Sequence, residues 1–166
     1  MSTANMTRQY LTFRLGEETF AVDVTKAREV LDFIPPTRVP QTPGYMLGVI
    51  NLRGSVVPVV DLRLKFGLAA TATTRDTCII VLEITADGEA TIVGAVADSV
   101  QEVLELEAEQ IEPPPRIGTR LKTEFIRGMG NHDGRFLILL DIDRVFSTDE
   151  LSLVQGVGEG AAAVSA

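Results

Sequence analysis

The sequence of 166 residues predicts a mostly β protein built as two similar small lobes. Two observations predict this fold class. The apolar segments alternate with polar residues or are rich in β-branched residues, as strands are. In addition, a set of residues recurs in the same order 80 positions later. The recurring pairs are Gly48/Gly128, Asn51/Asn131, Gly54/Gly134, Asp61/Asp141 and Phe66/Phe146.

The repeat continues upstream at slightly shorter spacings. Gly16 matches Gly88 at 72 positions, and Glu29-Val30-Leu31 matches residues 102–104 at 73 positions. We expect one copy over residues 10–67 and a second over residues 78–146. A single copy would bury only a small core, so packing two copies together extends the core and leaves a groove between the lobes.

The first copy begins with a predicted hairpin. Residues 10–15 alternate apolar and polar side chains, Gly16 and two glutamates follow as a turn, and residues 19–23 form the returning strand. Residues 25–31 contain Ala and Glu and predict a helix of about two turns. The β-branched run over residues 56–60 predicts a further strand.

The second copy has the same order of elements. Residues 78–84 and 90–96 predict strands joined by a hairpin turn at Asp87-Gly88. The continuous apolar run of the first strand suits a position covered on both faces. Residues 98–104 predict another short helix, and residues 136–142 predict a last long strand.

A C-terminal helix is predicted from a capping box. Ser147 is followed three residues later by Glu150, a pattern that favours a helix over residues 148–155. Residues 156–166 are small and almost uncharged, so we expect a disordered tail beyond a domain of residues 1–155.

Composition and charge argue against several classes of function. The formal net charge is −8 and the 15 Lys and Arg residues are scattered, whereas nucleic-acid binding requires a basic stripe. The apolar runs are too short to cross a bilayer, and residues 1–10 lack the apolar region of a signal peptide, so we expect a cytoplasmic protein. The single cysteine, Cys78, lies in an apolar run and is predicted to be a buried structural thiol.

The sequence contains no motif that predicts catalysis, a cofactor or a metal. The single histidine, His132, lies in a Gly- and Asn-containing turn and has no cysteine cluster to complete a zinc site. Phosphate-binding loops and a nucleophile elbow are absent. Asp61 and Asp141 are interpreted as turn and strand-end hydrogen-bonding groups. An enzyme or ligand-binding β-barrel is a weaker alternative, since it requires convergent polar groups in an apolar pocket.

The most informative segment spans residues 48–63. Asn51-Leu52-Arg53-Gly54 predicts a tight turn in which Gly54 adopts positive φ. Arg53 at the turn tip is either simply solvated or an anchor for a carboxylate. Pro58 lacks a backbone donor, which places its strand at a sheet edge or at a bulge, and an edge suits partner docking.

This segment resembles the signature of the CheW family of chemotaxis coupling proteins. The resemblance rests on the 51–54 turn and on Pro58-Val-Val-Asp61-Leu-Arg63 behind it, and it extends over about residues 8–155. It implies two interlocked, SH3-like five-stranded β-barrel lobes with a few short helices. It also implies a non-catalytic adaptor in the cytoplasm that is recruited to membrane-associated receptor arrays.

The resemblance implies two protein partners and no nucleic acid. One partner is the cytoplasmic hairpin tip of a methyl-accepting chemoreceptor, which would contact Glu29, Arg53, Ala27 and Asn51. The other is the regulatory domain of the histidine kinase CheA. A first kinase interface would use Val24 and Val56, and a second would use Glu112, Arg116 and Ile117. A CheW-like coupler of a non-flagellar motility or surface-signalling pathway is the alternative.

Overall fold

The computed structural model describes residues 8–40, 42, 44–68, 72–86, 88–113, 125–132, 134–146 and 150. These residues form mostly β structure, as predicted. The strands are β1 (Arg8–Leu15), β2 (Glu18–Asp23), β3 (Ala27–Asp32), β4 (Met46–Leu52), β5 (Ser55–Asp61), β6 (Cys78–Ala86), β7 (Glu89–Ala97), β8 (Ser99–Leu106), β9 (Ile111–Glu112), β10 (Ile126–His132) and β11 (Arg135–Leu140). The helical pieces are α1 (Leu62–Lys65), α2 (Ile142–Val145) and the 3-10 turns Val24–Lys26 and Ala108–Gln110.

The strands form two sheets. The six-stranded sheet has the order β8-β1-β2-β11-β10-β9, and the five-stranded sheet has the order β3-β6-β7-β5-β4. Neighbouring strands are antiparallel except for the pairs β2–β11 and β5–β7, which are parallel. Both predicted hairpins at the starts of the copies are present, with β1 paired to β2 and β6 paired to β7.

Each sheet combines strands from both sequence copies. The hairpin β1–β2 of the first copy pairs with β8 and β11 of the second copy. Conversely, the hairpin β6–β7 of the second copy pairs with β3 and β5 of the first. Within the described ranges the chain therefore passes between the sheets at Val24–Lys26 and at Asp98. Because neither copy provides all strands of either sheet, the sheets depend on each other.

The core consists of three apolar clusters. One lies between the sheets and takes residues from both, including Phe13, Phe20, Val60, Ile80 and Leu140. A second belongs to the six-stranded sheet, and a third belongs to the five-stranded sheet. In β6, Cys78, Ile80, Leu82 and Ile84 lie in the shared cluster and Ile79 lies in the third one, since successive strand side chains point to opposite faces. The continuous apolar run of β6 is thus covered on both faces, as predicted.

The two short helices predicted over residues 25–31 and 98–104 are wrong. Beyond the Val24–Lys26 turn these residues form β3 and β8, which pair with β6 and β1. In β8, Leu104 and Leu106 are buried while Val103 and Glu105 are exposed, which is the two-residue period of a strand. Backbone pairing and burial on one face outweigh the weak helix preference of Ala and Glu.

Of the two positions predicted for Pro58, the sheet edge is wrong, because β5 lies between β4 and β7, and the bulge in the β4–β5 ladder falls next to Pro58, between the Met46–Val60 and Gly48–Val59 pairs. Pro58 is paired with Val49 of β4. On the side of β4 away from Pro58, Val49 exchanges backbone hydrogen bonds of 2.8 and 2.9 Å with Thr37. The Val49–Pro58 pair therefore requires no N–H from the proline. Pairing of β5 with β7 begins only at Val59. Pro58 occupies a position where neither neighbour requires the missing donor.

The C-terminal helix predicted over 148–155 lies outside the described residues except for Glu150, which is helical. The predicted tail over 156–166 lies wholly outside them. No helix in the described ranges has the length and apolarity needed to cross a membrane.

Candidate functional site

The tip of the β4–β5 hairpin is a two-residue turn at Arg53 and Gly54. Leu52 pairs with Ser55, and the two turn residues have φ angles of 50° and 86°. Positive φ at both central positions is the pattern of a type I′ turn, which matches the twist of the flanking strands. The side-chain Oδ1 of Asn51 accepts a 3.0 Å hydrogen bond from the Gly54 N–H. The predicted tight turn is confirmed.

Arg53 occupies a conformation that costs a residue with a Cβ roughly 1–2 kcal/mol. The Asn51–Gly54 hydrogen bond holds the turn against that cost. The conformation leaves the Arg53 side chain 70% exposed at the end of the hairpin. The guanidinium is consequently displayed on the surface by the local backbone.

Arg53 forms a two-contact ion pair with Glu29. Nη1 donates to Oε1 at 3.2 Å, and Nη2 donates to Oε2. Hydrogen bonding to Arg53 lowers the pKa of the Glu29 carboxyl, and the carboxylate raises the pKa of the guanidinium. Both groups are on the surface, so the pair adds little to stability, but its fork geometry fixes the direction in which the remaining donors of Arg53 point.

This ion pair joins the two edges of the five-stranded sheet. Glu29 belongs to β3 and Arg53 follows β4, and these strands are the first and last of that sheet. The sheet therefore curves enough to bring its edges together. A backbone bridge between Thr37 and Val49 supports the same approach. Gly48 is required here, because a Cβ at this position would lie 2.1 Å from the Thr37 carbonyl oxygen.

The other residues assigned from the family resemblance lie around this pair or away from it. Val56 is the direct partner of Asn51 across the hairpin, so the two side chains share one face. Ala27 is on β3 two positions before Glu29 and packs against the core cluster between the sheets. Val24 is half-buried in the turn between the sheets.

The second predicted kinase interface is only partly described. Glu112 is exposed on β9, the edge strand of the six-stranded sheet, and pairs with Met129. The chain passes close to β10 here, since a Cβ on Gly128 would lie 2.8 Å from the Glu112 carbonyl oxygen. Arg116 and Ile117 lie outside the described residues. The candidate residues are thus divided between the two sheets, with the Glu29–Arg53 group on one and Glu112 on the other.

Sequence reasoning missed a buried charge network. The guanidinium of Arg63 donates to both carboxylate oxygens of Asp61 at 2.9 Å and to Oδ1 of Asp98 at 2.7 Å. Asp98 also accepts a 2.6 Å hydrogen bond from the Gly16 N–H. The network raises the pKa of Arg63 through its hydrogen bonds to Asp61. Asp61 caps α1, as expected of a turn group. Nothing in the sequence signals that Arg63 also reaches Asp98.

Among the described residues, no group of three or more His, Cys, Asp or Glu is placed to hold a metal ion. Cys78 is buried as predicted, and burial raises the pKa of its thiol to about 11.

A family model for the CheW-like domain matches residues 9–150. The chain belongs to the CheW-like family. It is 40% identical to the chemotaxis protein CheW of Klebsiella aerogenes over 152 residues, which covers 92% of this chain and 89% of that protein. It is 36% identical to the probable chemotaxis protein CheW of Rhizobium etli, with coverage of 86% and 90%. CheW-like proteins of this kind are scaffolds without catalytic activity.

A solved structure has the same two-lobe architecture. The crystal structure of the scaffolding protein TtCheW from Thermoanaerobacter tengcongensis superposes with a TM-score of 0.77 at 32% identity, covering 87% of this chain and 91% of that one. Protein FrzA of Myxococcus xanthus is a more distant relative, 28% identical with coverage of 85% and 86%. Fold, family and close relatives agree on a chemotaxis adaptor.

Proposed function

We propose that this CheW-like protein couples the cytoplasmic hairpin tip of a chemoreceptor to the regulatory domain of the histidine kinase CheA. The observation that carries the proposal is the Glu29–Arg53 ion pair, displayed where the two edges of the five-stranded sheet meet. The adaptor acts by binding alone, in the cytoplasm, and reaches membrane-associated arrays through the receptor.

The receptor surface combines charge with an exposed apolar side chain. Ile34, two residues beyond the edge strand β3 that carries Glu29, is 45% exposed. A helical hairpin tip presents apolar and charged side chains in rows, so this surface offers apolar area for association and an oriented guanidinium for register. Ala27 and Asn51 flank the ion pair and complete the surface.

Of the two proposed kinase surfaces, the first adjoins the receptor surface at the hairpin and the second lies on the other sheet. Val24 and Val56 are half-buried apolar residues near the first sheet crossing and the hairpin, and they are the proposed first interface. Glu112 on the edge of the other sheet, with Arg116 and Ile117, is the proposed second interface. The second surface, on the other sheet, allows kinase and receptor to bind at once, and many weak contacts of this kind hold an array through effective concentration.

The test is charge reversal at the hairpin tip. Arg53→Glu places two carboxylates together and is expected to weaken receptor-tip binding at least about tenfold, as for a central interface arginine. Binding of the CheA regulatory domain should stay within about twofold. Binding is measured by calorimetry with each partner separately and by co-sedimentation with both.

Two further variants distinguish a specific contact of Arg53 from a general effect of charge and from a disrupted hairpin tip. Arg75→Glu makes the same charge change in an exposed loop and should leave both affinities unchanged. Adding Glu29→Arg to Arg53→Glu restores an ion pair of reversed direction, which preserves the fold of the tip but not the orientation of its donors. The proposal fails if Arg53→Glu lowers kinase and receptor affinity equally while the circular dichroism spectrum is unchanged.

A further inference from the structure

The six-stranded sheet carries a cleft that the proposed coupling function does not use. Its volume is about 310 Å³, and β1, β2, β8, β10 and β11 contribute to its walls. The side chains that give it chemical character are Glu17, Glu18, Glu102, His132, Arg135 and Phe136.

The strands of the second copy that line this cleft correspond in the repeat to the strands that carry the Glu29–Arg53 surface. Glu102 on β8 matches Glu29 at a spacing of 73, and Phe136 matches Val56 at a spacing of 80. The strand order and the turn are the same in both copies, but the pairing of β8 with β1 puts Leu104, two positions after Glu102, where Glu29 lies on β3. Both β3 and β8 are edge strands. The β10–β11 hairpin has the same loop length as the β4–β5 hairpin, because His132 pairs with Arg135 as Leu52 pairs with Ser55.

The charges of the two surfaces differ. At the position matching Arg53 the sequence has Asp133, so the second copy has no tip arginine to neutralise Glu102. In the described part of the chain, neither Glu102 nor the neighbouring Glu17 and Glu18 forms a salt bridge. The lining of the cleft thus contains three carboxylates, one guanidinium, that of Arg135, and the imidazole of His132. The cleft favours a cationic group that enters from outside.

Phe136 adds an apolar anchor beside these charges. Its side chain is 56% exposed, more than any other large apolar side chain in the described ranges. Aromatic side chains gain most from burial at an interface and are enriched among residues that dominate binding. An exposed phenyl ring next to an acidic cleft therefore fits a segment in which a basic and an apolar side chain are neighbours.

We propose that this cleft is a third docking surface, which binds a segment of a partner protein presenting Lys or Arg beside an apolar side chain. The site is separate from the proposed receptor surface, which is built on the other sheet. It is also separate from β9, where Glu112 lies. A second copy of this chain is a poor occupant, since the chain carries a net charge of −8.

The test uses a defined probe. A synthetic ten-residue peptide alternating Lys and Leu is titrated into 15N-labelled full-length protein, with a peptide of the same length alternating Glu and Leu as the charge control. The basic peptide should shift the amide signals of Glu102, His132 and Phe136 first, and the acidic peptide should not. Shifts centred on Glu29 and Arg53, or spread evenly over the surface, would overturn the proposal.

Matched variants make the result specific. Phe136→Ser and Glu102→Lys should each weaken binding of the basic peptide at least about fivefold, while Leu64→Ser, which removes another exposed apolar side chain, should not change it. Equal affinities for all three variants would contradict the assignment. Sedimentation velocity of the wild type and Phe136→Ser checks the occupant, because a dimer lost on substitution would identify a second copy instead.

Discussion

Replacement of Arg63 by Met tests the charge network that joins the two sheets. Arg63 is the residue of α1 that reaches both Asp61 and Asp98, and its side chain is only 7% exposed. Methionine keeps the length and apolar stem of the side chain but removes all five donors. The variant therefore leaves a 3% exposed Asp61 carboxylate without its ion-pair partner. It also removes the contact between α1 and Asp98, whose carboxylate binds the Gly16 N–H in the β1–β2 turn.

The expected loss follows from the burial of the remaining charges. Removing one partner of a buried ion pair costs about 3–5 kcal/mol, because the other charge stays desolvated. The backbone N–H of residue 63 still donates to Asp61 at 2.9 Å, which favours the lower half of that range. For a chain of this length each kcal/mol lowers Tm by about 2–4 °C, so a decrease of roughly 6–16 °C is expected.

The assay is urea unfolding followed by circular dichroism, with Arg28→Met as the matched control. Arg28 pairs with Glu83 on the surface, where its side chain is 55% exposed, and its loss should cost less than about 1 kcal/mol. Adding Asp61→Asn to Arg63→Met should recover part of the stability, since the unpaired charge is then removed. Equal losses for the two arginine variants would refute the reasoning.

Three further predictions concern the close backbone contact at Gly48 and the buried thiol of Cys78. Gly48→Ala should lower the free energy of unfolding by about 1–3 kcal/mol, because its φ of 147° is strained for alanine and its Cβ would overlap the Thr37 oxygen. Gly134→Ala, with φ of 78° and nothing within 4 Å, should cost less, and the reverse order in urea unfolding would contradict this. Cys78 should resist iodoacetamide at pH 8 until the protein unfolds, since burial raises the pKa of its thiol to about 11. Because that pKa is raised from 9.0, the thiol's contribution to stability is complete below about pH 9 and lost as pH rises towards 11.

Features set by neighbouring residues could be read from the sequence. The turn at Arg53 and Gly54 follows from the need for positive φ and from the side chain of Asn51, all within four positions. The covered strand β6 follows from its continuous apolar run. Both depend on local backbone geometry or on burial pattern, which the order of residues records directly.

Features set by distant pairing could not be read in the same way. The segments that form β3 and β8 have few β-branched residues, and each is paired on one side only, so their strand conformation depends on β6 and β1. The contact between Glu29 and Arg53 depends on the curvature of a whole sheet. The family resemblance pointed to both residues, but spacing alone could not bring them together.

The pairing of the copies was the hardest feature to predict. A repeat at 80 positions is the same whether each copy pairs with itself or exchanges its hairpin with the other. The spacing therefore carries no information about which sheet a hairpin joins. The charges at the two crossings between sheets do carry such information.

At each of the two crossings between the sheets, a charged residue forms an ion pair with a residue near the end of a strand. That residue lies two positions after Asp61, at the end of β5, or after Asp141, which follows β11. Asp98 pairs with Arg63 at 2.7 Å, and Lys26 pairs with Asp143 at 2.9 Å. Residues 63 and 143 are equivalent in the repeat, and the signs of the two pairs are reversed. In each pair the aspartate also accepts a backbone hydrogen bond, from Gly16 or from Thr85.

This reversal of sign favours the arrangement in which the two copies exchange their hairpins over one in which each copy pairs with itself. If each copy paired with itself, Lys26 would face Arg63 and Asp98 would face Asp143, so both crossings would bring like charges together. The exchanged arrangement brings opposite charges together at both. One of these pairs is nearly buried, where like charges are most costly. Two copies with the same apolar pattern are thus directed to each other rather than to themselves by four side chains, which is how an internal repeat folds into one interlocked unit.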